Sequence, residues 1–266
     1  KPSPGTTVRL AYTRSLTGAS LDQSYQLEPT QVAGFVQSFR SLIPESVAGA
    51  NVGARIETFR SSLEQKFDTG TYLGVSAELF NSQVHRIAGA FDAFTDLLDY
   101  AIPSGLREHL DYEERSLAFS AHQLVGAAWS FGARYRVSQA VLKDDFVDVP
   151  ANLPPDRLDH FQPKQRQEAL LHQLSLTAIY NHRCGFFAEG AALGLAQNNT
   201  GYGPNAPDDA FWQFDALAGY RFPRRRAELM IGLLNLTDQD YRLNPLNIYT
   251  DRPRERTLMA QLRLNF

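Results

Sequence analysis

Apolar and polar residues alternate along most of this chain with the period of two that is typical of β-strands. The clearest run lies at the end of the chain, where Leu258, Ala260, Leu262, Leu264 and Phe266 are apolar and Thr257, Gln261, Arg263 and Asn265 are polar. A strand of this kind has one apolar and one polar face, as expected where lipid lies on one side and water on the other. A strand packed against a soluble core is the alternative.

Similar runs predict about ten strands in the whole chain. The other nine lie around residues 7–15, 52–67, 73–79, 116–122, 129–138, 170–180, 186–197, 212–222 and 227–233. In the run 186–197, Glu189 has the same phase as Phe187 and Leu193, so the lipid face of this strand stays open.

Three segments of the chain depart from this regular alternation. Within residues 52–67 the apolar phase changes between Ile56 and Phe59, which predicts a β-bulge near Glu57 and Thr58. Two connecting segments, 29–42 and 88–111, carry apolar residues at helical spacing and predict short loop helices. These residues are Val32, Phe35, Val36 and Phe39 in the first segment, and Phe91, Phe94, Leu97, Leu98 and Ile102 in the second.

The predicted connections alternate strictly between long and short. Bacterial outer-membrane barrels have short periplasmic turns and long extracellular loops, and an even strand number places both chain ends in the periplasm. Aromatic residues near strand ends would suit the interfacial girdles, namely Tyr12, Trp129, Tyr180, Trp212 and Phe266. A soluble barrel with one elaborated rim is the alternative.

The predicted fold is therefore all-β. We expect residues 1–266 to form a transmembrane antiparallel up-and-down β-barrel of about ten strands. Closure by pairing of the first strand with the last is the favoured arrangement, because lipid cannot satisfy unpaired strand edges. A fragment of a wider barrel, with further strands upstream, is the alternative.

Composition narrows the classes of function. The net charge of −3 and the pI near 6.1 argue against a general nucleic-acid partner. The single cysteine, Cys184, excludes an internal disulfide and a cysteine-rich zinc site. No window approaches the run of about eighteen apolar residues that a transmembrane helix needs. The first residues, 1–5, lack the features of a signal peptide, so we expect a processed chain or a piece of a longer polypeptide.

The one constellation of charged residues lies on the predicted inward face of the strands. It comprises Arg9, Glu78, Arg134, Arg136, Asp215, Arg221 and Arg263. These side chains either pair with one another across a filled lumen or line a path for anionic solutes. No cofactor is predicted.

Other candidate groups for catalysis or metal binding are weak. His122 with Ser116 or Ser120 points inward, away from where a lipid hydrolase would need it. Acids and an imidazole at the outer rim could activate water, and the candidates are Asp144, Asp145, Asp159 and His160. Carboxylates that could bind a hard cation are Asp208 with Asp209, and Asp238 with Asp240 and Asp251. None has a recognisable spacing, so neither a catalytic residue nor a metal site is predicted.

The end of the chain carries a further motif. Residues 235–241 read Asn-Leu-Thr-Asp-Gln-Asp-Tyr and follow the alternating run 227–233. The last forty or so residues resemble the final hairpin of TonB-dependent receptors, whose barrels carry an N-L-x-D-x-x-Y box there and end on a strand that finishes in Phe. Nothing in the chain matches the plug domain or the TonB box of that family.

The resemblance implies a place in the bacterial outer membrane and a role in transport or translocation. The implied partners are outer-membrane lipid, the barrel-assembly machinery and a periplasmic N-terminal domain. The assembly machinery would read a C-terminal insertion signal formed by Leu258, Leu262, Leu264 and Phe266. A plugged barrel that only anchors the periplasmic domain, and a hydrolase at the rim, are the alternatives.

Overall fold

Within the residues that the computed structural model describes, all regular structure is β. These residues are 4–16, 31–33, 35–36, 42–43, 53–94, 100–150, 162–201, 208–223, 226–241 and 253–264. The strands are β1 (Thr6–Leu16), β2 (Gln31–Val32), β3 (Phe35–Val36), β4 (Arg55–Lys66), β5 (Thr71–Phe94), β6 (Tyr100–Val125), β7 (Trp129–Phe146), β8 (Lys164–Asn181), β9 (Phe186–Thr200), β10 (Asp209–Arg221), β11 (Ala227–Leu234) and β12 (Thr257–Leu264). None of the described segments forms a helix that is long and apolar enough to cross a membrane.

Ten of these strands form one antiparallel up-and-down sheet in the order β1, β4, β5 and onward to β12. This confirms the predicted strand number and pairing. Among the described strands the sheet is open, because β1 pairs with β4 alone and β12 with β11 alone. The predicted closure of β1 on β12 was therefore wrong. Barrel closure requires a matching tilt and shear of all strands, and the alternation of residue types carries no information about shear.

The connections fall into two groups at opposite ends of the sheet. At the short-turn end they are residues 67–70, 126–128, 182–185 and 222–226. At the loop end they are residues 17–54, 95–99, 147–163, 201–208 and 235–256. Gly70 and Gly185 have φ values of 76° and 103°, which glycine adopts without steric cost in such tight turns.

The predicted loop helices were wrong. Residues 31–36 form a hairpin in which Val32 pairs with Phe35, so their spacing reflects a turn between two short strands. Residues 88–94 and 100–111 belong to β5 and β6, which are 24 and 26 residues long. The long loop predicted there shrinks to residues 95–99, while Phe39, Leu97 and Leu98 lie outside the described residues.

The two faces of the sheet differ in character, and we call them the outer and inner faces. The outer face carries many large apolar side chains exposed to the surroundings. They include Val8, Leu10, Tyr12, Leu63, Leu73, Phe119, Phe131, Leu176, Phe214, Ile231, Leu258 and Leu262. Thus Leu258, Leu262 and Leu264 of the predicted insertion signal share the outer face, whereas Phe266 lies outside the described residues.

In β4 to β8 the two faces exchange polarity part-way along the strands. From the short turns toward the loop end, the outer face changes from mainly apolar to mainly polar after Phe59, Leu79, Leu117, Val137 and Leu174. We call the part between these residues and the short turns the lower region, and the part toward the loop end the upper region. In the upper region the outer face is polar, with Glu57, Asn81, Gln83, Asp111, Glu113, Lys143, Arg166 and Glu168.

The inner face of the upper region carries the hydrophobic core. Its buried residues from the sheet include Ile56, Phe80, Val84, Leu110, Tyr112, Ala140, Leu142, Ala169, Leu171, Leu195 and Phe211. Leu42 and Ile43 from the connection 17–54, and Tyr241 from the connection 235–256, complete it. Segments of two loop-end connections therefore cover this part of the inner face.

The polarity exchange also explains the predicted bulge, which was wrong. Strand β4 pairs residue by residue from Arg55 to Gln65 with β1 and from Arg55 to Lys66 with β5, and neither register has an extra residue. Ile56 points to the inner core and Phe59 to the outer face. The phase of the apolar residues changes because the strand passes from the upper into the lower region.

The register settles the face that the sequence left open in β9. Glu189 and Phe187 lie on the inner face, because their neighbours Ala188 and Gly190 pair with the outer-face residues Tyr180 and Ala178. The outer face of β9 consists of small residues, namely Ala188, Gly190, Ala192, Gly194 and Ala196. The ring of Trp212 lies over Gly194, where an added Cβ would come within 2.7 Å of it. A large side chain of the neighbouring strand β10 therefore covers the small residues of β9.

Candidate functional site

All seven predicted charged residues lie on the inner face of the sheet. Their alternation and strand registers place Arg9, Glu78, Arg134, Arg136, Asp215, Arg221 and Arg263 there together with the polar side chains of the lower region. They do not form a single cluster, because they are spread over strands from β1 to β12. Their role in lining a lumen stays a prediction.

At the two sides of the sheet these charges pair with their neighbours. Arg9 forms an ion pair of 2.5 Å with Glu64. Arg221 donates to Glu228 at 2.9 Å and to the Asn181 side chain at 2.6 Å, and its guanidinium lies 4.0 Å from the centre of the Phe187 ring. These partners lie on nearby strands of the same sheet, so the predicted pairing across a filled lumen stays a prediction.

The middle of the inner face contains a recess of about 140 Å³ with an excess of positive charge. Its charged lining residues are Arg60, Arg134, Arg136 and Glu78. The small residues Ser76, Ser116 and Ala118 also line the recess. Phe35 of the β2–β3 hairpin contributes an aromatic ring. The recess exists because β5 and β6 place small residues on this face between the arginines of β4 and β7.

The guanidinium groups of the recess differ in their partners. Arg60 is buried and forms an ion pair of 2.6 Å with Glu78. Arg136 donates to the hydroxyls of Ser116 and Ser138 at 3.1 Å each, and it forms an ion pair of 3.8 Å with Glu114. Arg134 is exposed and has no hydrogen bond or ion pair with any described residue. One arginine is thus neutralised and another remains open to solvent.

Above this recess, the connection 17–54 is held against the sheet by a buried hydrogen-bond network. The Leu42 backbone N–H donates to the Tyr112 hydroxyl at 2.9 Å and to Glu114 at 3.2 Å. The Tyr112 hydroxyl in turn donates to Glu114. Because Leu42 and Ile43 are fully buried, this network fixes the segment that covers the core.

A second charged cluster lies in the upper region, well beyond the apolar part of the outer face. Arg86 donates to both carboxylate oxygens of Glu108, which is 4 % exposed. Asp144 lies nearby on the same face, and its burial, together with the negative charge of Glu108, raises its pKa to about 6. At the loop end, hydrogen bonds from the side chain and backbone of Arg107 lower the pKa of Asp148.

The acids predicted at the rim are separated by the alternation of the strand. Asp144 faces the inner side, whereas Asp145 lies on the outer side and pairs with Lys164 at 3.2 Å. Asp159 and His160 lie outside the described residues. His122, Ser116 and Ser120 share the inner face, as predicted.

The candidate carboxylates for a cation bind backbone groups of their own loops. Asp208 accepts from the Asn199 N–H at 2.6 Å, Asp238 from the Arg256 N–H at 2.7 Å, and Asp240 from the Tyr241 N–H at 2.8 Å. Asp251 lies outside the described residues. In the described part of the chain, no three His, Cys, Asp or Glu side chains are grouped so as to hold a metal ion.

The motif at residues 235–241 forms a hydrogen-bonded corner between β11 and β12. The side-chain amide of the fully buried Asn235 donates to the carbonyls of Gln239 and Pro253, at 3.0 and 3.2 Å, and its oxygen accepts from the Gln239 N–H. The Asn235 N–H donates to Asp215, so this predicted lumen acid anchors the corner. Tyr241 stacks on Phe211 with ring centres 5.1 Å apart.

No protein-family model matches the chain, and no curated protein matches it either. The resemblance to TonB-dependent receptors, drawn from the motif and the final strand, therefore stays a prediction. The corner just described gives the motif a structural role in this chain.

Sequence reasoning missed several residues of the inner face. Arg60 has the opposite phase to Phe59, so its inward orientation could have been read from the alternation. Glu108, Tyr112 and Glu114 fell in the segment interpreted as a loop helix or its flank. Their partner Leu42 is distant in the chain, and no local pattern brings them together.

Proposed function

We propose that this chain is part of a bacterial outer-membrane β-barrel that acts in transport across that membrane. The observation that carries the proposal is the exchange of polarity between the two faces of β4 to β8. In water, a sheet buries its apolar face and exposes its polar one, as the upper region does. An exposed apolar face over a polar one is the arrangement of a barrel wall in lipid.

The dimensions of the apolar outer face suit a bilayer. On β7 it runs from Trp129 to Val137, and at about 3.3 Å per residue this is roughly 26 Å along the strand. Tilted transmembrane strands need about 9–11 residues. The long strands β5 and β6 would then project beyond the membrane, where their outer faces are polar.

Aromatic side chains lie toward both borders of this outer face. Trp129 contacts Tyr180 with ring centres 4.7 Å apart near the short turns. Tyr12, Tyr135 and Trp212 lie toward the loop end, and the Tyr135 hydroxyl is 2.7 Å from His172. Amphipathic rings prefer membrane interfaces, so both sets agree with the proposed girdles. The short turns would face the periplasm and the loops the exterior.

Membrane insertion would require partners for the free edges of β1 and β12. Unpaired backbone groups cannot be satisfied by lipid. In the proposed barrel both edges pair with further strands, and the assembly machinery recognises β12 with Leu258, Leu262, Leu264 and Phe266.

A second candidate is a plugged barrel that anchors a periplasmic domain without conducting. The observation that favours it is the cover over the upper inner face, formed by Leu42, Ile43 and Tyr241. A wall whose inner face is packed with apolar side chains leaves less room for an aqueous path.

Reconstitution into lipid vesicles of the whole polypeptide to which this chain is proposed to belong tests the proposal, because that polypeptide would supply the strands for both edges. We expect protease-resistant insertion, and single-channel conductance then separates the two candidates. Conductance would support transport, and insertion without conductance would favour the plugged barrel. A monodisperse protein that needs neither detergent nor lipid would overturn both.

Cysteine crosslinking tests whether β1 and β12 are unpaired edges of the sheet. In a Cys184→Ser background, Leu10→Cys with Leu262→Cys should not crosslink, because β1 and β12 are opposite edges of the sheet. Leu229→Cys with Leu262→Cys is the control, since these residues are register partners in β11 and β12. Crosslinking of the first pair in a monomeric inserted chain would mean that the sheet closes on itself.

A further inference from the structure

Two histidines face each other on the polar outer face of the upper region. His85 of β5 and His109 of β6 are register partners, and both point outward because they share the phase of Gln83 and Asp111. Their rings stack with centres 4.1 Å apart and planes inclined by 27°. We propose that this pair binds a divalent transition-metal ion between the two strands. The inference goes beyond the proposed function and does not depend on it.

The ring nitrogens of this pair are available for coordination. Among the described residues, neither His85 nor His109 forms a hydrogen bond or an ion pair. In contrast, His172 and His182 each hydrogen-bond with a neighbouring side chain. His85 is exposed and His109 is half-buried, so an ion in water can reach both rings. A metal ion would therefore not have to displace a protein partner from either imidazole.

The spacing of the pair suits two ligands on one ion. Directly opposite residues of an antiparallel pair have Cβ atoms about 4.5–5.5 Å apart. Imidazole nitrogens bind zinc at about 2.0–2.1 Å. Because the sheet already holds the two histidines opposite each other, only rotation of the side chains is needed to direct one nitrogen of each ring at the same ion. The exposed His85 ring is free to make this rotation.

A carboxylate beside the pair favours a bound cation. Asp145 of β7 is the register partner of His109 and lies on the same face. Its Oδ2 atom pairs with Lys164 at 3.2 Å, whereas its Oδ1 atom is buried and has no hydrogen-bond partner among the described residues. A buried polar atom without a partner is costly, and an imidazole N–H or a metal-bound water would supply that partner. Arg107, the next outward residue of β6, is already neutralised by Asp148.

The ligand types indicate which ions the pair would bind. Imidazole suits copper, nickel and zinc, whereas magnesium and calcium prefer oxygen ligands. The described residues place no third His, Cys, Asp or Glu side chain in a ligand position, so water would complete the coordination of the ion. Because affinity for nitrogen ligands is greatest for Cu²⁺ among these divalent ions, we expect Cu²⁺ to bind more tightly than Zn²⁺.

Titration calorimetry tests the site on the same polypeptide as in the vesicle experiment, solubilised in detergent and without an affinity tag. The probes are Cu²⁺, Zn²⁺ and Mg²⁺, and Cys184→Ser serves as the background because a thiolate would compete for these ions. We expect saturable binding of Cu²⁺ and weaker binding of Zn²⁺, but no binding of Mg²⁺. His85→Gln and His109→Gln should each weaken Cu²⁺ binding at least tenfold, because either change leaves a single imidazole.

His172→Gln is the matched control. His172 lies on the outer face of β8, but its register partners are Val137 and Ala196, so it has no second imidazole opposite. Its loss should leave the affinity for Cu²⁺ unchanged. Equal weakening by His172→Gln would overturn the site, as would an unchanged affinity in either His85→Gln or His109→Gln. Absence of saturable Cu²⁺ binding in the parent protein would overturn it as well.

Electron paramagnetic resonance of bound Cu²⁺ separates coordination by the pair from a general effect of the substitutions. We expect two nitrogen ligands in the parent protein and at most one in His85→Gln or His109→Gln. Asp145→Asn should retain both nitrogen ligands and weaken binding by less than the histidine variants, because Asp145 acts through His109. A spectrum with two nitrogen ligands in His85→Gln would contradict the assignment. None of these outcomes bears on membrane insertion, because the pair lies beyond the apolar part of the outer face.

Discussion

The lower and upper regions of β4 to β8 use the same strands and the same hydrogen-bond register, yet they place apolar side chains on opposite faces. In the lower region Phe119 and Leu176 point outward and Arg60 and Arg136 inward. In the upper region Leu142 points inward, into a core covered by loop residues. The backbone of a sheet therefore does not decide which face is apolar, and in the proposed barrel the medium on each side does.

This difference determines what each region contributes to stability. The upper core removes apolar surface from water at roughly 25 cal/mol per Å², as in any soluble protein. The apolar outer face of the lower region gains this free energy only when lipid or detergent covers it. Without such cover, so large an apolar surface is expected to cause association. Four predictions test this contrast.

The largest effect is expected from a cavity in the upper core. Leu142→Ala removes a side chain that is 1 % exposed and should lower the free energy of unfolding by about 2–5 kcal/mol. Leu176→Ala on the lower outer face is the control and should cost less, because in the proposed barrel lipid chains would fill the vacated space. Urea unfolding in vesicles measures both, and equal costs would contradict the contrast.

A charge on the outer face should distinguish the two regions. Phe119→Arg places a cation where the proposal puts lipid, at a cost of roughly 2–4 kcal/mol near the bilayer midplane. Gln83→Arg lies on the same face in the upper region and should be tolerated. The inserted fraction of each variant in vesicles provides the measurement. If both variants insert equally well, the apolar face does not contact lipid.

The cover of the upper region should loosen when its hydrogen bonds are removed. Tyr112→Phe deletes the hydroxyl that accepts from the Leu42 N–H and should cost about 1 kcal/mol. Limited proteolysis within residues 17–54 should become faster. Tyr220→Phe, on the lower outer face, is the control and should leave the cleavage rate unchanged.

The smallest effect concerns pH. Asp144 has a folded-state pKa near 6, above its ordinary value of 3.8, so the folded state holds this proton more tightly than the unfolded state. The contribution of Asp144 to the free energy of unfolding is therefore largest below about pH 4, and this contribution is lost as the pH rises through 6.

Asp144→Asn removes the cost of ionisation. We expect it to stabilise the fold by about 1 kcal/mol at pH 7, after discounting for solvent screening, and to have no effect near pH 4. Asp145→Asn, which loses the ion pair with Lys164, should be slightly destabilising instead. A pH-independent effect of Asp144→Asn would contradict the assignment.

Much of the fold was predictable, and two of the errors, the bulge in β4 and the helix in residues 88–111, share one cause. Strands in which the apolar phase stays constant, such as β1, β10 and β12, were identified with their faces. Errors arose where a strand crosses from one region to the other, as with Ile56 and Phe59 in β4. Residues 88–111 were interpreted as a loop that contains a helix. They belong largely to the long strands β5 and β6, whose apolar residues change face part-way along. A pattern that assumes one apolar face along the whole strand therefore finds no strand there.

The candidate site was predictable only in part. The alternation placed all seven charged residues on one face, but it could not show that Glu78 pairs with Arg60 or that Asp215 anchors the corner at Asn235. Such pairs depend on register and on side-chain rotamers, and both are properties of the assembled sheet.

The sequence by itself determined the strands, their antiparallel order and the face of each regular strand, because a period of two is a local property of an extended chain. Tertiary structure alone decided where Leu42, Ile43 and Tyr241 lie, which face of β9 is outward, and that the sheet stays open between β1 and β12. These features depend on contacts between residues far apart in the chain and on the shear between strands, and neither leaves a local pattern.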